Sequence, residues 1–133
     1  MNKKILYISY DGMSDLLGQA QVLPYITKLS EEGFDFHLIS FEKEIPFEKN
    51  SDNIQKICDA SNIVWHPIKY TKNPPVFSTI WDIYKMQKKA FNLHAEQAFS
   101  IIHCRSYISA LVGLKMKRKK NVPFIFDMRG FWA

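Results

Sequence analysis

The sequence predicts a doubly wound α/β domain: a mainly parallel, five-stranded sheet in the order 3-2-1-4-5 with helices on both faces. Three observations carry this. Short apolar runs recur five times along the chain, with the near-continuous hydrophobicity of strands buried on both sides. Segments of helical period separate them, so successive strands are joined by crossovers and run parallel. Two of the runs end in polar, reactive side chains, at His103-Cys104-Arg105-Ser106-Tyr107 and at Asp127-Met128-Arg129-Gly130. The carboxyl edge of an open parallel sheet gives that pattern, and such sheets bind ligands there.

The elements follow in order. Lys4–Ser9 is a buried first strand, and Tyr10–Gly18 is a loop carrying Gly12 and Gly18. Val22, Leu23, Ile26 and Leu29 then share one helical face. Pro24 means that this helix starts near Leu23 or kinks there, and Gly33 stops it as a C-terminal cap. Phe34–Phe41 is the second strand, completing a βαβ unit in under forty residues. Ile54, Ile57 and Cys58 predict a modest helix within the polar stretch 42–60. The third strand begins at Ile63 and ends at Pro67, and a loop with Pro74-Pro75 follows. From Phe77 towards Phe99, the residues Phe77, Ile80, Trp81, Tyr84, Phe91, Ala95 and Ala98 keep the 3.6-residue period. Ser100–Cys104 is strand four, about 108–119 is a helix, and Val122–Asp127 is strand five. In this order the switch point lies between strands one and four, so the loops after Ser9 and Cys104 flank the cleft.

A chain of 133 residues is sized for one domain with a substantial core. Hydrophobic content of 47% with 14% aromatics excludes a disordered chain. No apolar run approaches the roughly 20 residues that span a bilayer. The apolar N-terminal run is too short for a signal peptide, and Asp11 and Asp15 follow it without a small-residue cleavage site. Cys58 and Cys104 form neither a disulfide framework nor a metal spacing. The expected location is therefore the cytoplasm, with no metal site. The net charge is +5, and Lys115, Lys117, Arg118, Lys119 and Lys120 supply five of the eighteen basic residues. Such a run suits the negative end of a helix dipole or an anionic membrane surface at the inner face. Nucleic acid is not expected, because no aromatic platform interleaves with the charges. The sequence stops at Phe131-Trp132-Ala133. This predicts a truncated domain, with a homodimer through that apolar edge as one way to cover it.

Three groups of residues carry chemistry. The loop Tyr10–Gln19 places Gly18 at a helix start, where backbone N–H groups and the helix dipole favour an anion. It is neither a G-x-G-x-x-G fingerprint nor a P-loop. His103, Arg105, Ser106 and Tyr107 follow strand four. The guanidinium can hold a carboxylate or phosphate in a bidentate fork, whereas His103 is either a core residue or a group aimed into the cleft. Cys104 alternates to the opposite face and reads as packing. Asp127 and Arg129, two apart past strand five, are an ion pair, a cap or part of the site. His66, before Pro67 at another strand end, reads as a surface loop residue, and His37 and His94 read as structural.

Together these pieces resemble the N-terminal half of a GT-B glycosyltransferase, similar to the retaining enzymes of family four. The resemblance rests on Leu17-Gly18-Gln19-Ala20-Gln21-Val22-Leu23, on Leu29-Ser30-Glu31-Glu32-Gly33-Phe34-Asp35-Phe36-His37-Leu38-Ile39-Ser40, on Ser100–Ser106, and on Asp127-Met128-Arg129-Gly130-Phe131-Trp132. It implies two Rossmann-like domains facing across a cleft, of which residues 1–133 form the acceptor-side one and the donor-binding one is absent. It implies retaining transfer from a nucleotide-diphosphate sugar to a glycan or lipid-linked acceptor, in cell-surface polysaccharide synthesis, without cofactor or metal. By the same resemblance Gly18 and Gln19 lie near the donor diphosphate. His103, Arg105, Ser106, Asp127 and Arg129 line the cleft on the acceptor side. Leu17 replaces the first of two tandem glycines, and Arg105 stands where many members have a second histidine. An arginine stays protonated, so it stabilises charge and does not act as a base. The fragment alone is expected not to turn over. Two other classes fit the fold: a stand-alone flavodoxin-like or receiver-like domain, and a non-catalytic partner-binding module. A receiver needs an aspartate after strand three, where this chain has His66-Pro67.

Overall fold

The structure is a computed structural model, and it describes residues 3–10, 12–14, 18–70 and 75–127. Five strands form one sheet: β1 (Lys4–Ser9), β2 (Asp35–Glu42), β3 (Val64–Lys69), β4 (Ile101–Arg105) and β5 (Phe124–Asp127). Their order is β3-β2-β1-β4-β5 and every pairing is parallel. The helices are α1 (Leu23–Glu31), α2 (Glu44–Ala60), α3 (Pro75–Gln97) and α4 (Tyr107–Lys120), and a π-helical turn, Gly18–Val22, leads into α1.

Two cores sit on the two sheet faces. On one, Tyr7, Phe36, Leu38 and Trp65 pack against Val22, Leu23 and Ile26 of the first helical segment and Ile54 and Cys58 of α2. On the other, Leu6, Ile8, Ile39, Phe41, Ile102 and Cys104 pack against Met86, Ala90 and Leu93 of α3 and Val112 and Met116 of α4. Each fully buried aliphatic side chain stabilises the fold by about 1.5–3 kcal/mol relative to exposure, which is why both faces select Ile and Leu. Gly113 lets α4 lie close on the sheet: a Cβ there would stand 2.5 Å from Cys104 Sγ and 3.0 Å from Phe124 Cδ2. Near its N-terminus α3 is tied down by polar contacts. The Tyr10 hydroxyl donates to Asp82 Oδ2 at 2.8 Å, and Lys85 Nζ donates to the Lys69 carbonyl at 2.7 Å.

The predicted fold class and strand order are those observed, and several boundaries differ. Strand β3 continues through Pro67 to Lys69. It is an edge strand, paired only with β2, so a residue without an N–H can sit in it with no lost ladder bond. Helix α3 begins at Pro75, where a proline is tolerated because first-turn N–H groups have no intrahelical partner. Pro24 likewise lies in the first turn of α1, which starts at Leu23 directly after the π turn. Helix α2 runs 17 residues, longer than the modest helix expected. Its inward stripe is thin, Phe47, Ile54 and Cys58, and most of the remainder faces solvent. Gly33 ends α1 as predicted, at φ 98°.

Candidate functional site

The switch point falls between β1 and β4, which lie side by side while their connections leave to opposite faces of the sheet. Register then decides which side chains meet. Tyr7 stands beside His103, Ser9 beside Arg105, and Arg105 beside Asp127. Alternation puts all of these on the face covered by α1, at the carboxyl ends of their strands.

Arg105 is the centre of the cluster. It is only 3% exposed, so its charge must be met by polar groups. Its Nη2 donates to Gln21 Oε1 at 2.8 Å, and the Tyr7 hydroxyl is hydrogen-bonded to the same guanidinium. Burial pushes the Tyr7 phenol up to about 12, with the nearby Arg105 charge opposing that shift. The His103 ring stacks on Tyr7 with centroids 4.4 Å apart, and Tyr25 meets it edge-on at 5.8 Å. His103 Nε2 lies 3.6 Å from Asp127 Oδ2, close enough for an ion pair when the imidazole is protonated. Ser106 starts α4 at φ 90°, ψ 162°, a region that serine rarely adopts and that costs on the order of 1–3 kcal/mol. Its N–H donates to the Asp127 carbonyl at 3.1 Å, and its hydroxyl lies 3.5 Å from that of Ser109.

A second constellation holds Met13 and Ser14, between β1 and the π turn. Glu42, buried at the end of β2, accepts the Met13 N–H at 2.8 Å and the Ser14 N–H at 3.1 Å. It also accepts the hydroxyls of Ser14 and Ser40. Ser40 in turn accepts the Trp65 indole N–H at 2.8 Å. The Ser14 carbonyl receives amide donors from Gln19, at 3.0 Å, and Asn50, at 3.1 Å. A groove of about 430 Å³ opens beside Glu42, lined also by Phe47, Pro67, Ile68 and Lys69.

Of the residues singled out from the sequence, the structure brings His103, Arg105, Ser106 and Asp127 together. Gly18 opens the π turn whose Gln21 reaches Arg105, and the Gln19 side chain turns to the Ser14 carbonyl. Arg129, Phe131 and Trp132 lie outside the described residues. The Lys115–Lys120 run ends α4 at the opposite, amino edge of the sheet. His37 and His66 pair with each other across β2 and β3, with 3.0 Å between ring nitrogens. Cys104 points into the α3–α4 core, away from Arg105. Tyr7, Gln21, Tyr25 and Glu42 were not foreseen. Glu42 carried a readable signal, a carboxylate ending an apolar strand, whereas Gln21 carried none. Among the described residues no three His, Cys, Asp or Glu side chains group to hold a metal ion.

Chemically, the cluster offers the Arg105 guanidinium, a histidine–aspartate pair, and the N-terminus of α4 with no side-chain cap. All three suit an anionic or polyhydroxylated ligand.

No protein-family model matches the sequence, and neither does any curated protein. Solved structures do match it. The C-terminal domain of PF1911 hydrogenase from Pyrococcus furiosus aligns with a TM-score of 0.65 at 17% identity, over 94% of this chain and 90% of that one. A putative UDP-N-acetylglucosamine 2-epimerase from Listeria monocytogenes gives 0.62 at 8% identity, over 95% of this chain and 31% of that one. A glycosyltransferase from Rickettsia africae ESF-5 gives 0.60 at 16% identity, over 94% of this chain and 29% of that one. These likenesses show a Rossmann-like α/β fold. The chain spans less than a third of the length of the epimerase and of the glycosyltransferase. Among the described residues no helix is long and apolar enough to cross a membrane.

Proposed function

We propose that this chain is the acceptor-side half of a glycosyltransferase. The full enzyme would take a sugar from a nucleotide-diphosphate donor with retention, and pass it to a glycan or lipid-linked acceptor in cell-surface polysaccharide synthesis. The observation that carries the reading is the convergence of Arg105, His103 and Asp127 with Gln21 of the π turn at the β1–β4 switch point. Sugar hydroxyls call for such donors and acceptors, and an exposed aromatic ring such as Tyr25 suits a pyranose face. A glycosyltransferase and a putative UDP-N-acetylglucosamine 2-epimerase among the solved structures of this fold support the reading.

Each residue has a role in this reading. The Arg105 guanidinium neutralises charge on a phosphate or a departing diphosphate. His103, beside Asp127, orients an acceptor hydroxyl. The backbone at Gly18, next to Gln19, faces the donor diphosphate. The donor-binding residues belong to a second domain, so this chain by itself binds without turning over.

Titration of the 133-residue chain with alkyl glycosides, followed by amide chemical shifts, tests the proposal. Shifts confined to residues 19–25, 103–106 and 127 are expected, weakened at least tenfold in Gln21→Leu and His103→Gln. Circular dichroism verifies that both variants fold. Absence of saccharide binding, or binding elsewhere, would favour the non-catalytic, stand-alone flavodoxin-like or partner-binding module. Repeated nucleotide release by this chain alone would overturn the division of labour between two domains.

A further inference from the structure

We infer that the outer surface of α3 and α4 is a docking face for an anionic lipid bilayer. This inference stands apart from the glycosyltransferase reading, and neither depends on the other. Of the ten large apolar side chains that stand exposed among the described residues, seven lie on these two helices. On α3 they are Phe77, Ile80, Trp81 and Tyr84, at spacings of three, four and seven, with Phe77 71% exposed. On α4 they are Tyr107, Leu111 and Leu114, again four and seven apart. Each set is a single stripe on one helical face.

The two stripes lie together. Both helices cover the same sheet face and pack against each other. Both return against the direction of parallel strands, so they run the same way, each with its apolar half towards the carboxyl edge. Continued by helical spacing, each stripe turns basic. On α3, Tyr84 is followed at i+4 by exposed Lys88. On α4, Leu114 is followed by exposed Lys117 and Arg118, then Lys119 and Lys120. Helix α4 has no acidic residue, and of the two on α3, Asp82 is buried and Glu96 lies near the C-terminus. The face therefore carries aromatic and aliphatic groups at one end and mainly positive charge at the other.

That combination selects its occupant. Trp and Tyr settle at the headgroup level, aliphatic side chains enter the acyl boundary, and lysines and arginines meet anionic headgroups. Ile80, Leu111 and Leu114 would contribute nothing to a nucleic acid, which uses stacking and phosphates. A second copy of the chain would bring the same positive charges into opposition.

The test is vesicle flotation of the whole chain with phosphatidylcholine alone and with phosphatidylglycerol added. Binding to the anionic vesicles only is expected, weakened by high salt. Emission from Trp81, taken as the difference from Trp81→Phe, should shift to the blue and be quenched by brominated acyl chains. Charge reversal of Lys117, Arg118 and Lys119 to Glu should weaken partitioning roughly a hundredfold or more. The combined changes Ile80→Ser and Leu111→Ser should abolish the quenching. All five sites are exposed, so far-ultraviolet circular dichroism should be unchanged. Any of four results would overturn the inference: no flotation, equal flotation with neutral vesicles, binding that survives both sets of changes, or a dimer lost in the serine variant. Tighter binding to an oligonucleotide than to the anionic vesicles would overturn it too.

Discussion

Replacing Glu42 by glutamine is a nearly isosteric change with a large expected cost. The carboxylate is buried and accepts from four donors, two on each oxygen. Oε2 receives the Met13 N–H and the Ser40 hydroxyl, and Oε1 receives the Ser14 N–H and hydroxyl. An amide can present an oxygen to only one of these pairs, so its NH₂ must face the other. A hydroxyl can rotate and accept instead, but a backbone N–H cannot. One amide, of Met13 or of Ser14, is thus left buried against another donor, at about 1–3 kcal/mol. The surviving bonds also lose their charge assistance, roughly another 1 kcal/mol. The expected loss is about 2–4 kcal/mol, or roughly 6–15 °C in Tm for a domain of this size. Urea unfolding followed by Trp65 emission measures it, since that indole reports on Ser40. Amide exchange at Met13 and Ser14 should accelerate beyond the global loss, because the loop opens locally first. Glu44→Gln, at an exposed site two residues on, should stay within about 0.5 kcal/mol of the parent. An unfolding midpoint in Glu42→Gln equal to that of Glu44→Gln would refute the reasoning.

Further outcomes follow from other sites. Gly113→Ala should destabilise by about 1–2 kcal/mol, although alanine is ordinarily the better helix former, because its Cβ would overlap Cys104 Sγ. In a Cys104→Ala background the same change should be neutral or stabilising, so a double-mutant cycle that shows strict additivity would contradict the packing described. Burial lowers the pKa of His66 from 6.5 to about 4 and also lowers that of His37. The unfolded chain therefore binds protons that the fold refuses, and stability should fall as pH drops from about 6.5 towards 4. A urea midpoint that stays flat across that window, or a slope unchanged in His66→Gln, would count against it. Burial pushes both cysteine thiols up to about 12. At mildly alkaline pH neither should react with a thiol reagent until denaturant is added. Rapid labelling of the native chain, read by mass, would show the cores to be looser than described.

The sequence by itself determined the fold class and the strand order, and it singled out part of the candidate cluster. Five apolar runs with intervening helical periods leave few topologies, and of the orders that right-handed crossovers allow, the expected 3-2-1-4-5 is the one observed. It also placed His103, Arg105 and Asp127 at strand ends, because a parallel sheet must end its apolar strands somewhere polar. Boundaries were less legible where proline was involved. Pro67 marks a strand's end only if both neighbours need its N–H, and that depends on β3 lying at the edge of the sheet. Tertiary structure alone decided the partners. Gln21 meets Arg105 from 84 residues away, and Glu42 meets Ser14 from 28. The first contact depends on register and on the π turn before α1, the second on where the chain after β1 meets the end of β2, and local pattern encodes none of these. The same holds for the apolar stripes of α3 and α4. In the sequence Phe77, Ile80, Trp81 and Tyr84 mark one apolar face of a helix, and periodicity does not show which face meets the sheet. Packing put Met86, Ala90 and Leu93 inward and left the aromatics outside.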